Sequence, residues 1–163
     1  SIHANGFKRI VVINGHGGNN APNHVVRDTI AEENVFVVAY SWWQSVTAEM
    51  LAWSEADEGS VGHGGEWETS VMLHLRECLI SRPHMNDDLY MNPFSPELRE
   101  FCGFSERRRD TRDVTGTMGS SSVASKEKGE RIINLAVDRL EQMVREYHKQ
   151  PVRDYRENGS HCP

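Results

Sequence analysis

The apolar and polar positions divide the chain into short elements. Lys8 to Asn14 reads Lys-Arg-Ile-Val-Val-Ile-Asn. Consecutive β-branched residues between polar ends suit a strand buried on both faces, as in a parallel sheet. Gly15 to Asn20 is a glycine-rich turn, and Asn20 can cap a helix with Pro22 in its first turn. Val25, Val26, Thr29 and Ile30 give that helix an apolar stripe, and Asn34 ends it. Val35 to Tyr40 is a second buried strand. Strand, helix and strand on short turns make a right-handed βαβ unit.

Trp42 and Trp43 open a helix-like stretch to about Ala56, and Asp57 to Gly65 reads as a polar, glycine-rich loop. Glu66 to Leu79 has helical spacing through Trp67, Val71 and Leu75. Prolines and charge make Ser81 to Thr117 a long excursion, with a short helix near Pro96 to Phe101. Gly116 to Ser122 is a small-residue turn. A last helix is predicted from about Ser125 to Lys149, buried along Ile133, Val137, Leu140, Val144 and Tyr147 and stopped by Pro151. The pattern predicts one domain over 1–150 and a loose tail over 151–163. Ser1 to Gly6 reads as the tail of a helix stopped at Asn5-Gly6. A domain opening there is expected to have lost what precedes it.

Composition narrows the function. With 163 residues the chain can bury a core, and its net charge of -6 argues against a nucleic-acid surface. The basic run Arg107 to Arg109 is bracketed by Glu106 and Asp110 and reads as a solvated loop. No apolar stretch is long enough for a bilayer span, and no signal segment opens the chain. Cys78, Cys102 and Cys162 lack ligand pairing and suggest reduced thiols, hence a cytoplasmic location.

Two segments carry candidate chemistry. Asn14-Gly15-His16-Gly17-Gly18-Asn19 follows a buried strand, at the end where parallel sheets collect ligands. Its imidazole suits zinc, manganese or iron. The alternative, a phosphate-cradling turn, lacks both the G-x-G-x-x-G and the P-loop pattern. Gly62-His63-Gly64-Gly65-Glu66-Trp67-Glu68-Thr69-Ser70 opens a helix from a loop. Its acids can serve simply as helix N-terminal charges. A histidine among glycines, which cost backbone entropy, points to more. Two imidazoles and a carboxylate converging beyond one sheet edge would be the kit for metal-assisted hydrolysis. The other histidines outside the tail, His3, His24, His74, His84 and His148, have no acid at ligand spacing and are expected to be structural or surface groups.

These segments, with Ser122 to Glu130, resemble the creatininase family, whose members carry N-G-H-x-x-N, H-[AG]-G-x-x-E-T-S and A-[ST]-x-E-K-G in this order. The resemblance covers nearly the whole chain. It implies an α/β fold, a three-layer α/β/α sandwich on a mainly parallel sheet. It also implies two divalent ions (Zn, Mn or Fe), held partly by an upstream Glu-x-His and aspartate that must come from an N-terminal segment or companion chain. By resemblance His16 is a metal ligand and His63 the catalytic histidine. Creatinine-hydrolysing members take a further ligand from a glutamate two residues beyond the metal histidine, where this chain has Gly18. Glu66 is therefore expected to supply that carboxylate, as ligand and catalytic group.

Gly17, Gly18, Asn19, Trp42, Trp43 and Gly64 are expected to bind substrate. Gly59, Ser60 and Gly62 stand where the family's creatinine-binding aromatic and acidic residues lie, which argues against creatinine itself. The expectation is a metal-dependent hydrolase, with activated water attacking the carbonyl of a small cyclic or formamide-type substrate. Sister activities are pyrimidine-nucleotide deformylation, peptide trimming in cofactor maturation and ring opening of a keto-inositol. A non-catalytic binding or structural subunit is the rival. The resemblance also suggests a homo-oligomer.

Overall fold

The structure, a computed structural model, describes residues 2–29, 35–56, 63–88, 117 and 119–152, without the side chains of 26, 27, 29 and 88. The proposed helix near Pro96, the glycines at 59 and 62, Cys102 and the tail beyond 152 lie outside the described residues. Two compact units emerge, one of Ser1–Thr47 with Ala136–Pro163, the other of Ala48–Leu135. The last helix contributes a part to each.

In the first unit, a 3-10 turn at His3–Asn5 ends where the Gly6 amide meets the His3 carbonyl, with φ +90 at Gly6. This is the predicted left-handed stop, which glycine adopts without a Cβ penalty. Strands β1 (Arg9–Asn14) and β2 (Phe36–Ser41) pair in parallel, from Arg9 opposite Phe36 to Asn14 opposite Ser41. Helix α1 (Asn20–Thr29) lies between them in sequence, completing the βαβ unit. Burial on both faces is only partly realised, since Ile13 is exposed and Asn14 is the buried residue of β1. Among the described residues this sheet has two strands, so each keeps an unpaired edge. Val25 of α1, assigned to its apolar stripe, is also exposed.

Tyr147, on helix α4 (Lys126–Lys149), closes this unit. Its hydroxyl takes a hydrogen bond from the Ile10 amide at 3.1 Å and donates to the Phe36 carbonyl, and its ring meets Phe36 edge-on at 4.6 Å. Burial comes first in holding its hydroxyl pKa above the ordinary tyrosine value. Arg9 donates to the Gln150 carbonyl at 2.7 Å, just past the end of α4.

In the second unit, α2 (Thr47–Trp53) contributes Met50, and α3 (Glu66–Arg76) contributes Glu66, Thr69, Ser70 and Leu73 to the buried set. A 3-10 turn, Glu77–Leu79, extends α3 over the predicted range. Ile132 is the buried aliphatic of the α4 part. A short antiparallel pair, β3 (Asp87–Asp88) with β4 (Gly119–Ser120), joins the two ends of the expected excursion.

The buried stripes of α3 and α4 are turned by about one position from those expected. Leu75, Val137 and Val144 are exposed, whereas Ser70, Leu73, Gly129, Ile132 and Ala136 are buried. The reason is a backbone crossing. A Cβ on Gly129 would lie 2.0 Å from the Ser70 carbonyl oxygen. Close approach selects small residues, which counting large aliphatics overlooks.

Candidate functional site

In the first unit the glycine turn is organised by Asn14. Its side chain is 2% exposed and makes four hydrogen bonds. The amide nitrogen donates to Asn20 Oδ1 at 3.0 Å and Ser41 Oγ at 3.1 Å. Its oxygen accepts the His16 backbone N–H at 3.0 Å and Asn19 Nδ2 at 3.3 Å. One buried amide thus ties the end of β1 to β2, to the start of α1 and to the turn. Both donors and both acceptor positions are used, so the group costs little to bury.

The turn Gly17–Asn19 is 3-10, with the Asn19 amide closing on the His16 carbonyl at 3.1 Å. His16 is exposed, and its imidazole lies over Gly18, where a Cβ would come within 2.8 Å of Nε2. A side chain at position 18 would displace the imidazole from this place. At the same sheet end, the 3-10 turn Trp42–Ser45 follows β2, with the two indoles edge-to-face at 6.2 Å. Parallel pairing of Asn14 with Ser41 puts the His16 turn and the tryptophans on one rim. A cavity of about 290 Å³, lined by Val12, Ala39, Ser41, Asn20, His24 and Gln44 among others, opens on this unit. His24, expected to be incidental, contributes to its wall.

In the second unit, His63 and Gly64 form the turn into α3, with φ +64 at Gly64. Glu68 Oε2 accepts the Gly64 amide at 2.8 Å, and Thr69 Oγ1 donates to the Gly64 carbonyl at 2.8 Å. Glu68 is thus the helix-terminus acid, reaching back as in a capping box. His63 is exposed.

Glu66 has a different set of partners from the one expected. Its carboxylate is 1% exposed and faces Lys128 Nζ at 2.6 Å, with the Glu55 amide at 3.1 Å on the same oxygen. The second oxygen accepts Ser54 Oγ and the Ala56 amide. Four donors occupy the carboxylate. Lys128 also donates to Val123 O at 2.8 Å and approaches Glu55 Oε1 at 3.2 Å. Burial pushes the Glu66 carboxyl up, but the hydrogen bonds from Lys128, Ser54 and Glu55 and the ammonium charge outweigh it and hold it below its ordinary range.

A carboxyl so held stabilises the fold above the ordinary carboxylate pKa of about 4.3 and loses that contribution as pH falls through the folded value. Glu66→Gln is expected to lower stability at neutral pH by about 3 kcal/mol, the low end for breaking a buried pair, because glutamine still accepts one set of bonds. The gap between variant and parent should close below about pH 4. Melting curves across pH check it, and a gap independent of pH would contradict the ion pair.

The third motif docks on the second. Ser125 Oγ caps α4 by accepting the Lys128 amide at 3.2 Å, and the Ser125 amide donates to Ser70 Oγ at 3.1 Å. Lys128 reaches Glu66 and Gly129 meets Ser70. Asn14, Ser54, Ser70 and Lys128 were not singled out from the sequence. The signal for three of them lay in their place inside or beside the quoted motifs, but polar partners far apart in sequence leave no spacing to read.

Among the described residues no group of three or more His, Cys, Asp or Glu side chains is gathered as a metal cage, and no helix is long and apolar enough to cross a membrane. Of the expected ligands, the imidazole of His16 stands at a suitable sheet end, while Glu66 is committed to Lys128.

A family model described as creatininase, creatinine amidohydrolase, matches residues 1–144. A creatinine amidohydrolase of Pseudomonas putida is 29% identical over 152 residues, 86% of this chain and 56% of that protein. Among solved structures, a Bacteroides fragilis protein assigned as a creatinine amidohydrolase superposes with a TM-score of 0.74 at 29% identity, over 93% of this chain and 58% of its own. A manganese creatininase and a Zn–Zn creatininase variant, each 25% identical, superpose at 0.68 and 0.67 over 91% of this chain and 60% of theirs. The chain thus spans less than two thirds of the length of these relatives, and its α/β architecture is theirs.

Proposed function

Because the chain belongs to the creatininase family, we propose that it carries part of the catalytic apparatus of a metal-dependent amidohydrolase acting on a small cyclic or formamide-type substrate. The observation that carries this reading is the buried Asn14 amide, which spends all its hydrogen bonds on holding the His16 turn at the carboxyl end of two parallel strands.

In this reading His16 is the one metal donor offered by the described residues. The remaining ligands come from outside them, from a preceding segment or a companion chain. Zinc or manganese, the metals of the solved relatives, fits an imidazole donor. When bound, the ion supplies a water acidic enough to ionise near neutral pH. Gly17 and Gly18 present backbone amides beside His16 that can stabilise an oxyanion, while the Asn19 amide closes the turn on the His16 carbonyl, and the Trp42–Trp43 pair walls the same rim. His63, exposed on the glycine turn with Gly64, accepts and returns the proton. Glu66 is not read as a ligand, since its lone pairs are occupied by Lys128, Ser54 and the amides of residues 55 and 56.

A second reading, a non-catalytic binding subunit, is favoured by the Glu66 carboxylate, whose lone pairs are spent on Lys128 and residues 54–56. Elemental analysis of the isolated protein separates the two. The expected result is zinc, manganese or iron near one equivalent or more per chain, falling by at least about half in His16→Ala as one ligand is lost. Metal-free protein, or metal content indifferent to His16, would favour the binding subunit.

A further inference from the structure

We propose that Glu66 and Lys128 are positioning residues for His63, a buried clamp that fixes the start of α3, three residues after it. This rests on the reading of His63 as the proton-transferring group. The Glu66 carboxylate holds the chain at two places on either side of His63. It accepts from Ser54 Oγ, the Glu55 amide and the Ala56 amide, whereas Glu66 itself begins α3, ten residues beyond Ala56. His63 lies between them in sequence. Lys128, 15% exposed, anchors that carboxylate to the first turn of α4 and to the Val123 carbonyl. The ammonium donates to Glu66 and Val123, and the Glu55 carboxylate lies 3.2 Å away as a further ion-pair partner.

On the other side of His63, Gly64 is held through both its amide and its carbonyl by Glu68 and Thr69, and Thr117 lies 3.6 Å from where its Cβ would be. The chain is thereby held on the α3 side of His63, at Gly64, while the His63 side chain stays exposed. A buried ion pair is weak evidence for stability, because its desolvation nearly cancels its attraction. Its geometry here does something an apolar pair cannot, since two backbone amides and a hydroxyl of residues 54–56 are recruited by the same carboxylate. An apolar pair of similar volume would keep the packing and release that segment.

The discriminating variant is therefore the double substitution Glu66→Met with Lys128→Met in the full chain. It is expected to melt within a few degrees of the parent. The Glu55 amide should exchange with solvent at least about tenfold faster, having lost its acceptor. The His63 imidazole resonances should shift and sharpen while those of His16 stay in place. With a hydrolysable amide substrate, kcat should fall by about a hundredfold with KM little changed, the loss expected of a displaced proton-transfer group. Should the double variant fail to fold, Ser54→Ala removes one of the clamp's donors and is read by the same signals.

Unmoved His63 resonances and an undiminished kcat, in a variant whose Glu55 amide is deprotected, would reduce the pair to packing. If the parent turns over no amide substrate, the hydrolase reading fails, and the imidazole spectra still decide whether the clamp positions His63.

Discussion

Replacing Gly129 by alanine destabilises the chain by about 3 kcal/mol or more, although alanine is the better helix former. On an exposed helical face the same change would stabilise by about 1 kcal/mol. Here the new Cβ would lie 2.0 Å from the Ser70 carbonyl oxygen, 2.6 Å from its carbon and 2.9 Å from His74 Cβ. Two of the three obstructing atoms are backbone, so no rotamer change relieves them. The helices must part, and parting them strains the Ser125–Ser70 hydrogen bond and the Lys128–Glu66 pair on either side of the contact. Core overpacking commonly costs about 1–3 kcal/mol, and these shared contacts add to it. Urea unfolding of Gly129→Ala beside the parent measures it. Equal midpoints would mean that α3 and α4 do not cross here.

On the proposed reading of His63 as the proton-transferring group, replacing it by alanine is expected to lower turnover by a factor of about 10²–10⁴, the usual contribution of a positioned acid–base group. The fold and bound metal are expected to survive. The His63 side chain is exposed, so its truncation opens no cavity. The turn beneath it is held by Gly64, with its positive φ and its bonds to Glu68 and Thr69, none of which involves the imidazole. Metal content with an amide-hydrolysis assay on parent and variant tests this. Turnover undiminished in the variant would remove His63 from the chemistry, and joint loss of metal and turnover would make it a ligand instead.

Elements with strong local signals were legible in the sequence. β1 came from an unbroken β-branched run, β2 from an unbroken apolar one, and the turn between β1 and α1 from its glycines. The stop at Gly6 came from capping chemistry that acts over a few residues, and the extent of α4 from its apolar period and Pro151. The two glycine-flanked histidines stood out because glycine in such numbers has a backbone reason.

What the residues determined unaided was therefore the local frame: a βαβ unit, a helix opening after His63, a last helix from about Ser125 to Lys149, and a family signature spread over three motifs. Tertiary structure alone decided which sides of α3 and α4 are buried, because the deciding event is a glycine of one helix meeting a carbonyl of another. It alone decided that Glu66 belongs to Lys128, 62 residues away, and that Asn14 is a hub. Hydrogen bonds and ion pairs between distant residues leave no period in a sequence. They form only once folding has brought the partners together and taken them out of water.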